Sequence, residues 1–476
     1  MDFVRALIFS LVAAAAALTA GPAYARQQPS PQQPDPSEPI RVFTQRPYRG
    51  VFGGGYSETE QLLTLGLNMG GGFDSSVFVD NRPNTTPTVP TVPTTPTPPT
   101  TPVTPVSPVS RDESGFVSGS ATLSYRLNRE SLSFSAGAGG AYSYYPGINE
   151  PGARRYYADA GASWLMSTRT ALSGGFAVSY QPMYHLSPLP GVIDPNLGPG
   201  NPFDATIGSH AETYRNENAD VRLGYAINKR IGTSFGYGMW RLVSPDGDRD
   251  SASHGASARV SFGLTRGLGF HTSYQFTSSR FDGPAAVPPV AVSRYTNHSV
   301  DFGLYFGRAL SLTRKTTMTF ATGTSTVTDG NSTHFGLVGN VRLGYELART
   351  WSLSAWYARD VQFVQAFLQP VSTDTASVQF GGLISRRLRF DAENGYAFGR
   401  VGFGTRNNDY RALSVSSGLG MAINRHLNAG VRYLYTRYHF GSAVDVPLDM
   451  TFQTNRHAVN AYLSSWLPLF SRTRRP

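Results

Sequence analysis

From Leu62 to Phe470 the chain repeats one pattern: about ten residues alternate between apolar and polar, a short turn follows, and another alternating segment begins. Side chains of a strand point alternately to opposite faces, so such a segment has one apolar and one polar face. In 219–227, Ala219, Val221, Leu223, Tyr225 and Ile227 share one face, and Asp220, Arg222, Gly224 and Ala226 the other. After Asn228-Lys229-Arg230 the apolar face resumes with Ile231, Thr233, Phe235, Tyr237 and Met239. The same plan recurs at 337–347, and Val-Arg-Leu-Gly-Tyr stands at both 221–225 and 341–345, as a repeated hairpin would have it.

Short turns fall near Asn128-Arg129, Thr168-Arg169, Lys229-Arg230, Thr265-Arg266, Arg308-Ala309, Arg349-Thr350, Arg386-Arg387 and Asn424-Arg425. Longer loops separate them near 74–113, 146–153, 186–213, 244–253, 282–294, 326–333, 362–373, 403–409 and 440–454. Short turns at one end and long loops at the other predict an all-β, antiparallel, up-and-down transmembrane β-barrel of about eighteen strands, with short periplasmic turns and long extracellular loops. Sixteen strands is the main competing count, because the segment from Leu312 is polar and Leu63 to Met69 has room to be an internal strand.

In hydrocarbon every backbone N–H and C=O needs a partner within the protein, and strands achieve this only in a closed barrel. The apolar face then meets lipid and the polar face lines the lumen, the reverse of a soluble sandwich. Val300, Phe302, Leu304 and Phe306 form one uncharged outward face. The inward candidates are Arg126, Asp159, Asp220, Arg222, Arg259, Asp301, Arg342, Glu346, Arg389, Asp391, Glu393 and Arg432. Opposite charges on such a wall either pair across strands or set selectivity for ions or sugars. Trp240, Trp356 and Tyr305 share the inward parity, as sugar-stacking surfaces or as packing. Tyr125, Tyr225, Tyr345 and Trp351 beside short turns, with Tyr144, Tyr156, Tyr180 and Tyr295 beside long loops, suit two interfacial girdles.

Residues 1–25 read as a secretory signal: Arg5, an apolar stretch from Ala6 to Ala20, and the Ala23-Tyr24-Ala25 cleavage site. Residues 26–57 form a Pro/Gln-rich periplasmic extension or a plug, and 58–470 the barrel. The Thr/Pro-rich stretch 83–110 is an extracellular loop close to polyproline II, with an interdomain linker as the alternative. Residues 471–476 are a basic tail.

Composition adds limits. The 476 residues contain 15% charged residues, 50 Gly and no Cys, which removes a disulfide scaffold and a Cys-ligated metal. The net charge of +10 is scattered, so nucleic acid is not an expected partner. The chain contains no H-E-x-x-H or P-loop pattern. A candidate Ser/His pair of the outer-membrane phospholipase kind, such as His298 with Ser299, has no supporting motif. We therefore expect neither an enzyme nor a cofactor.

Tyr48-Arg49-Gly50-Val51-Phe52-Gly53, Gly70-Gly71-Gly72-Phe73-Asp74 and Trp466-Leu467-Pro468-Leu469-Phe470, with the style of the hairpins between them, resemble a large bacterial family of outer-membrane β-barrel porins. Some members accompany exopolysaccharide synthesis and export systems. The resemblance covers essentially the mature chain. It implies an outer-membrane channel for hydrophilic solutes or an exported polysaccharide, with export components as partners. The last segment, from Val459 to Phe470, looks like the signal read by the barrel-assembly machinery, from which Pro468 and the tail depart. The other partner is outer-membrane lipid. A non-conducting anchor that presents surface loops is the alternative function.

Overall fold

The computed structural model describes residues 59–78, 111–146, 152–182, 213–243, 250–265, 268–281, 293–306, 315–329, 332–347, 350–364, 369–403, 408–442 and 453–473. Residues 1–57, on which the expected signal and extension fall, the Thr/Pro stretch 83–110 and residues 186–212 lie outside them.

Eighteen strands form one antiparallel sheet. In chain order they are β1 Thr59–Phe78, β2 Arg111–Asn128, β3 Leu132–Tyr144, β4 Gly152–Leu165, β5 Thr170–Pro182, β6 Thr213–Ala226, β7 Ile231–Val243, β8 Ser251–Gly263, β9 Leu268–Phe281, β10 Ser293–Phe306, β11 Thr316–Asp329, β12 Ser332–Glu346, β13 Ser352–Val364, β14 Gln369–Leu383, β15 Leu388–Val401, β16 Asp409–Ala422, β17 Leu427–Phe440 and β18 Gln453–Thr473. Each strand pairs with the next, and β1 pairs with β18, which closes the ring. The count of eighteen is the larger of the two sequence expectations. Leu63 to Met69 lies within the first strand, and Thr316 and Thr317 of the polar run after Leu312 open β11.

The shortest strands have 13 residues. At about 3.3 Å per residue and a tilt of about 40°, such a strand rises roughly 33 Å, enough to cross an apolar band about 25 Å tall.

Two of the expected long loops are shorter than the sequence suggested. Strand pairing continues to Asp329 and resumes at Ser332, so only two residues separate β11 from β12. Pairing likewise runs through Val364 and from Gln369, taking up most of 362–373. The polar Ser/Thr residues there belong to strand ends rather than to loops. At the C-terminus the last strand passes Phe470 and runs on to Thr473, so the first residues of the basic tail are paired with β1.

The short turns are built by polar side chains one or two residues ahead of the arginines that mark them in the sequence. Asn228 Oδ1 accepts hydrogen bonds from the backbone N–H groups of Arg230 (2.8 Å) and Ile231 (2.9 Å). Ser167, Ser385 and Asn424 cap their turns in the same way, and Thr265 Oγ1 accepts from Leu268 N–H. A short polar side chain that bonds its own backbone mimics a turn of backbone, which explains why Asn, Ser and Thr recur at this position.

The seam between β1 and β18 carries two accommodations. Pro468 has no N–H to give the ladder, and the register slips between Leu63 and Thr64, opposite Phe470 and Pro468. Such a bulge lets proline sit in a paired strand. Toward the long-loop end, Arg456 on β18 donates from Nε to both carboxylate oxygens of Asp74 on β1, at 3.0 Å each. Both side chains are buried, so neither charge has water as an alternative partner.

Removing one member strands a buried charge, which costs about 3–5 kcal/mol. We expect Arg456→Met or Asp74→Leu alone to lower the denaturant midpoint of the detergent-folded barrel, and the double substitution to recover much of the loss. Single variants with wild-type midpoints would show that the pair does not hold the seam.

Candidate functional site

The register assigns every strand residue to one of two faces. One face carries the exposed large hydrophobic side chains, among them Met69, Val117, Phe235, Phe302, Phe335, Leu337 and Val431. This face looks outward. Aromatic residues gather on it toward the short turns: Phe262 stacks on Phe270 at 4.6 Å, and Trp351 packs on Phe380 at 4.9 Å. Tyr144, Tyr156 and Tyr180 are exposed on it near the long loops. Tyr295 departs from the expected girdle. It faces inward, is buried, and meets Phe281 edge-on at 5.8 Å.

All twelve charged candidates fall on the opposite, inward face by register. Asp220 and Arg222 on β6 lie across from Gly238 and Gly236, Arg259 on β8 from Ser273, and Asp301 on β10 from the same Ser273. On the other wall Arg342 lies across from Trp356, Glu393 from Gln379, and Asp391 from Gly418, which also faces Arg432. Arg126, Asp159, Glu346 and Arg389 follow the same parity on β2, β4, β12 and β15.

They form two clusters and several separate positions. On β8–β10, Asp301 accepts from Ser273 Oγ, and its carboxylate stands 3.3 Å from His271 Nε2, with Arg259 close by. On β13–β17, Arg432 Nη2 donates to Asp391 at 3.3 Å, Arg389 stands 3.7 Å from the same carboxylate, and Gln379 Nε2 donates to Glu393 at 3.1 Å. His271, Ser273 and Gln379 escaped the sequence reading, although each has the inward parity and a polar side chain. Elsewhere the wall also carries hydroxyl and amide pairs, as in the pair Thr64–Ser124 (2.6 Å) and the bond from Asn68 to Ser120 (3.2 Å).

Inward glycines seat these charges. A Cβ on Gly418 would stand 3.0 Å from Asp391 Oδ2, on Gly175 3.1 Å from Asp220 Oδ1, and on Gly137 2.8 Å from Asp159 Oδ1. On Gly303 it would fall 2.1 Å from the His271 ring. Asp391, Asp220, Asp159 and His271 thus lie along the wall over a glycine on the neighbouring strand.

Toward the long loops the inward face changes character. Phe281, Tyr295, Val327 and Val361 form one buried apolar cluster with Phe403 against it. Tyr410 meets Phe440 and bonds Thr373, and Phe116 stacks on Tyr145 at 5.4 Å. Trp240 is buried at this level, while Trp356 and Tyr305 are inward and half-buried lower down.

Among the described residues, the Ser/His candidate is divided between the two faces. His298 faces outward and hydrogen-bonds Tyr274 Oη through Nδ1 at 2.8 Å, whereas Ser299, the next residue, points inward. Gly232-Thr233-Ser234-Phe235-Gly236 has the spacing of a hydrolase nucleophile motif, but it runs straight through β7 with Ser234 buried, not at a strand-to-helix turn. His185 and His210 lie outside the described residues. Among the described residues no group of His, Cys, Asp or Glu has metal-binding geometry.

Fold and wall together define a large transmembrane β-barrel with a charged, glycine-seated lumen face. No protein-family model matches the chain, and no curated protein matches it. Solved structures similar to it include OpdQ of Pseudomonas aeruginosa, with a TM-score of 0.43, 12% identity, and coverage of 87% of this chain and 100% of that one. OccAB4 of Acinetobacter baumannii has a TM-score of 0.41 at 10% identity, covering 87% and 99%. The copper transporter OprC has a TM-score of 0.41 at 8% identity, covering 87% and 81%. At these values nothing about this chain's cargo follows from them.

The two faces are tested by placing one charge on each. Phe302→Arg puts a cation at mid-belt and is expected to cost about 2–4 kcal/mol of folding into lipid vesicles. Ser299→Arg, three residues away on the inward face, is expected to cost far less in the same urea titration. Equal losses would overturn the assignment of faces.

Proposed function

We propose that the protein is an outer-membrane channel that passes small hydrophilic solutes, with the short turns in the periplasm and the long loops outside. The observation that carries this reading is the concentration of charged and hydroxyl side chains on the inward face, held back against the wall by glycines. Such a surface is wettable, and its mixed charge biases which ions and polar solutes enter. The signal-like segment 1–25 and recognition of the last strand by an assembly machinery fit this location. The finer reading, passage of an exported polysaccharide, rests on the resemblance to porins that accompany export systems. Trp356 and Tyr305 on the inward face offer stacking surfaces for sugar rings.

A second reading is supported by one feature. The buried apolar clusters at the long-loop end of the inward face suit a closed mouth, and a barrel closed there is an anchor for surface loops.

Planar-bilayer recording of the purified protein separates the two. A channel gives stepwise conductance, and Asp391→Asn with Glu393→Gln shifts the reversal potential in a KCl gradient toward anion selectivity. A barrel that stays silent, also without residues 26–57, is an anchor. Surface polysaccharide measured in a deletion strain decides the cargo: unchanged polysaccharide excludes export.

A further inference from the structure

One boundary in the ring is paired over only part of its length. β12 and β13 are joined by a short turn, yet their ladder runs only from Glu346 and Ser352 to Gly339 and Arg359. That is 8 residue pairs, against 13 between β14 and β15. On its other edge β12 stays paired with β11 as far as Ser332, and β13 stays paired with β14 as far as Val364. Toward the long loops, 332–338 of β12 and 360–364 of β13 therefore have no ladder with each other.

The side chains show where the two strands part. Outward Phe335 and Leu337 are 70% and 64% exposed, whereas Leu343, with β13 still alongside, is 38% exposed. A Cβ on inward Gly336 would meet no atom of the described residues within 4 Å, unlike the glycines that seat the wall charges. Val361 has the outward parity of Tyr357 and Arg359, but it lies in one buried cluster with Phe281, Tyr295 and Val327, which face inward from β9, β10 and β11. The tip of β13 thus stands inside the line of β12 instead of continuing it. Phe403, just after β15, packs on the same cluster and stacks on inward His334 of β12 at 4.4 Å. The wall overlaps itself here and leaves a slit along β12 at the level of Gly336.

Polar groups at the split fit a built feature. Arg359, the last β13 residue opposite β12, is held from β14 by Asp374 at 2.8 Å. The next residue, Asp360, accepts the Val361 N–H through Oδ1 at 2.7 Å, so a donor just past the end of the ladder is satisfied within the strand. Free strand backbone at membrane depth is tolerated only where it borders protein or a wet cavity. The overlap and the open space over Gly336 supply such a border.

We propose that this slit is a side entrance through which a small apolar molecule passes between the long-loop half of the bilayer and a binding site at the aromatic cluster. Phe335 and Leu337 flank the slit on the lipid side, the cluster lies on the inner side, and Gly336 between them presents no side chain. A flat ring or a single hydrocarbon chain suits a gap between two strands with apolar walls. A sugar chain or a hydrated ion would lose its polar partners there. The site goes beyond the channel reading, which concerns the charged wall, and it does not depend on conduction.

Photolabelling of the protein refolded into phosphatidylcholine vesicles tests this. The probe is an iodophenyl trifluoromethyl diazirine, a small apolar reagent that partitions into lipid. After illumination and peptide mapping, label is expected on outward Phe302 and also on inward Tyr295 and Val327. Gly336→Trp places a bulky side chain in open space and is expected to lose the inward label, while Phe302 stays labelled and migration on gels stays heat-modifiable. A second test uses the absence of native cysteine. Continuing the register would set Val361 opposite Leu337, so in Leu337→Cys with Val361→Cys the thiols are expected to stay free under mild oxidation. Wild-type label confined to outward residues overturns the proposal without reference to any variant. So does an undiminished inward label in the folded Gly336→Trp protein, or a disulfide that closes readily in the folded cysteine pair. Neither test reads a current, so a silent barrel leaves the outcome standing.

Discussion

Closure of the backbone ladder is the constraint on which everything else in this structure depends. A strand in hydrocarbon has no water to satisfy its N–H and C=O groups, so an open edge is not tolerated and the first strand must find the last. β1 and β18 are therefore the longest-range pairing in the chain, and the chain spends special features there. A bulge absorbs Pro468, and a buried Asp74–Arg456 pair joins the two strands where they approach the long loops. The ladder also slips between Asp74 and Val77 where β1 meets β2, so β1 is irregular on both of its edges.

Once the ring is closed, the two-residue period divides the side chains without remainder. Outward positions must suit lipid, so their middles carry aliphatic and aromatic groups, and charge is confined to the edge of the belt. Inward positions are released from that demand and hold nearly all the mid-strand charge. The glycines link the two requirements. A tilted, curved sheet brings neighbouring inward side chains close, and a missing Cβ at Gly418, Gly175 or Gly303 makes room for Asp391, Asp220 or His271 to lie along the wall. The same residue type that loosens a strand energetically is what keeps a charged wall from filling its own lumen.

The chain treats its two ends differently. Short turns are made by local chemistry, an Asn, Ser or Thr side chain bonded to its own backbone, and need nothing from the rest of the fold. The long-loop end is built from contacts between distant strands: Phe281 with Tyr295 and Val361, Tyr410 with Thr373 and Phe440. Inside, that end is buried, with apolar clusters beside the Asp74–Arg456 pair.

Much of this could be read from the sequence because a barrel wall is locally encoded. Alternation needs only a residue and its neighbours two positions away, so the strands, their faces and the inward position of Asp220, Arg222, Asp301 or Arg432 were legible in one dimension. The number eighteen followed from counting turns, and turns are local too. What stayed hidden was whatever depends on register between strands. Whether Asp391 meets Arg432 and whether His271 reaches Asp301 depends on which residues lie opposite, and one residue of slip changes every such pairing. Tyr295 was misplaced because nearness to a loop says nothing about which face a residue takes. The wall, in short, is written along the chain, while the clusters exist only across it.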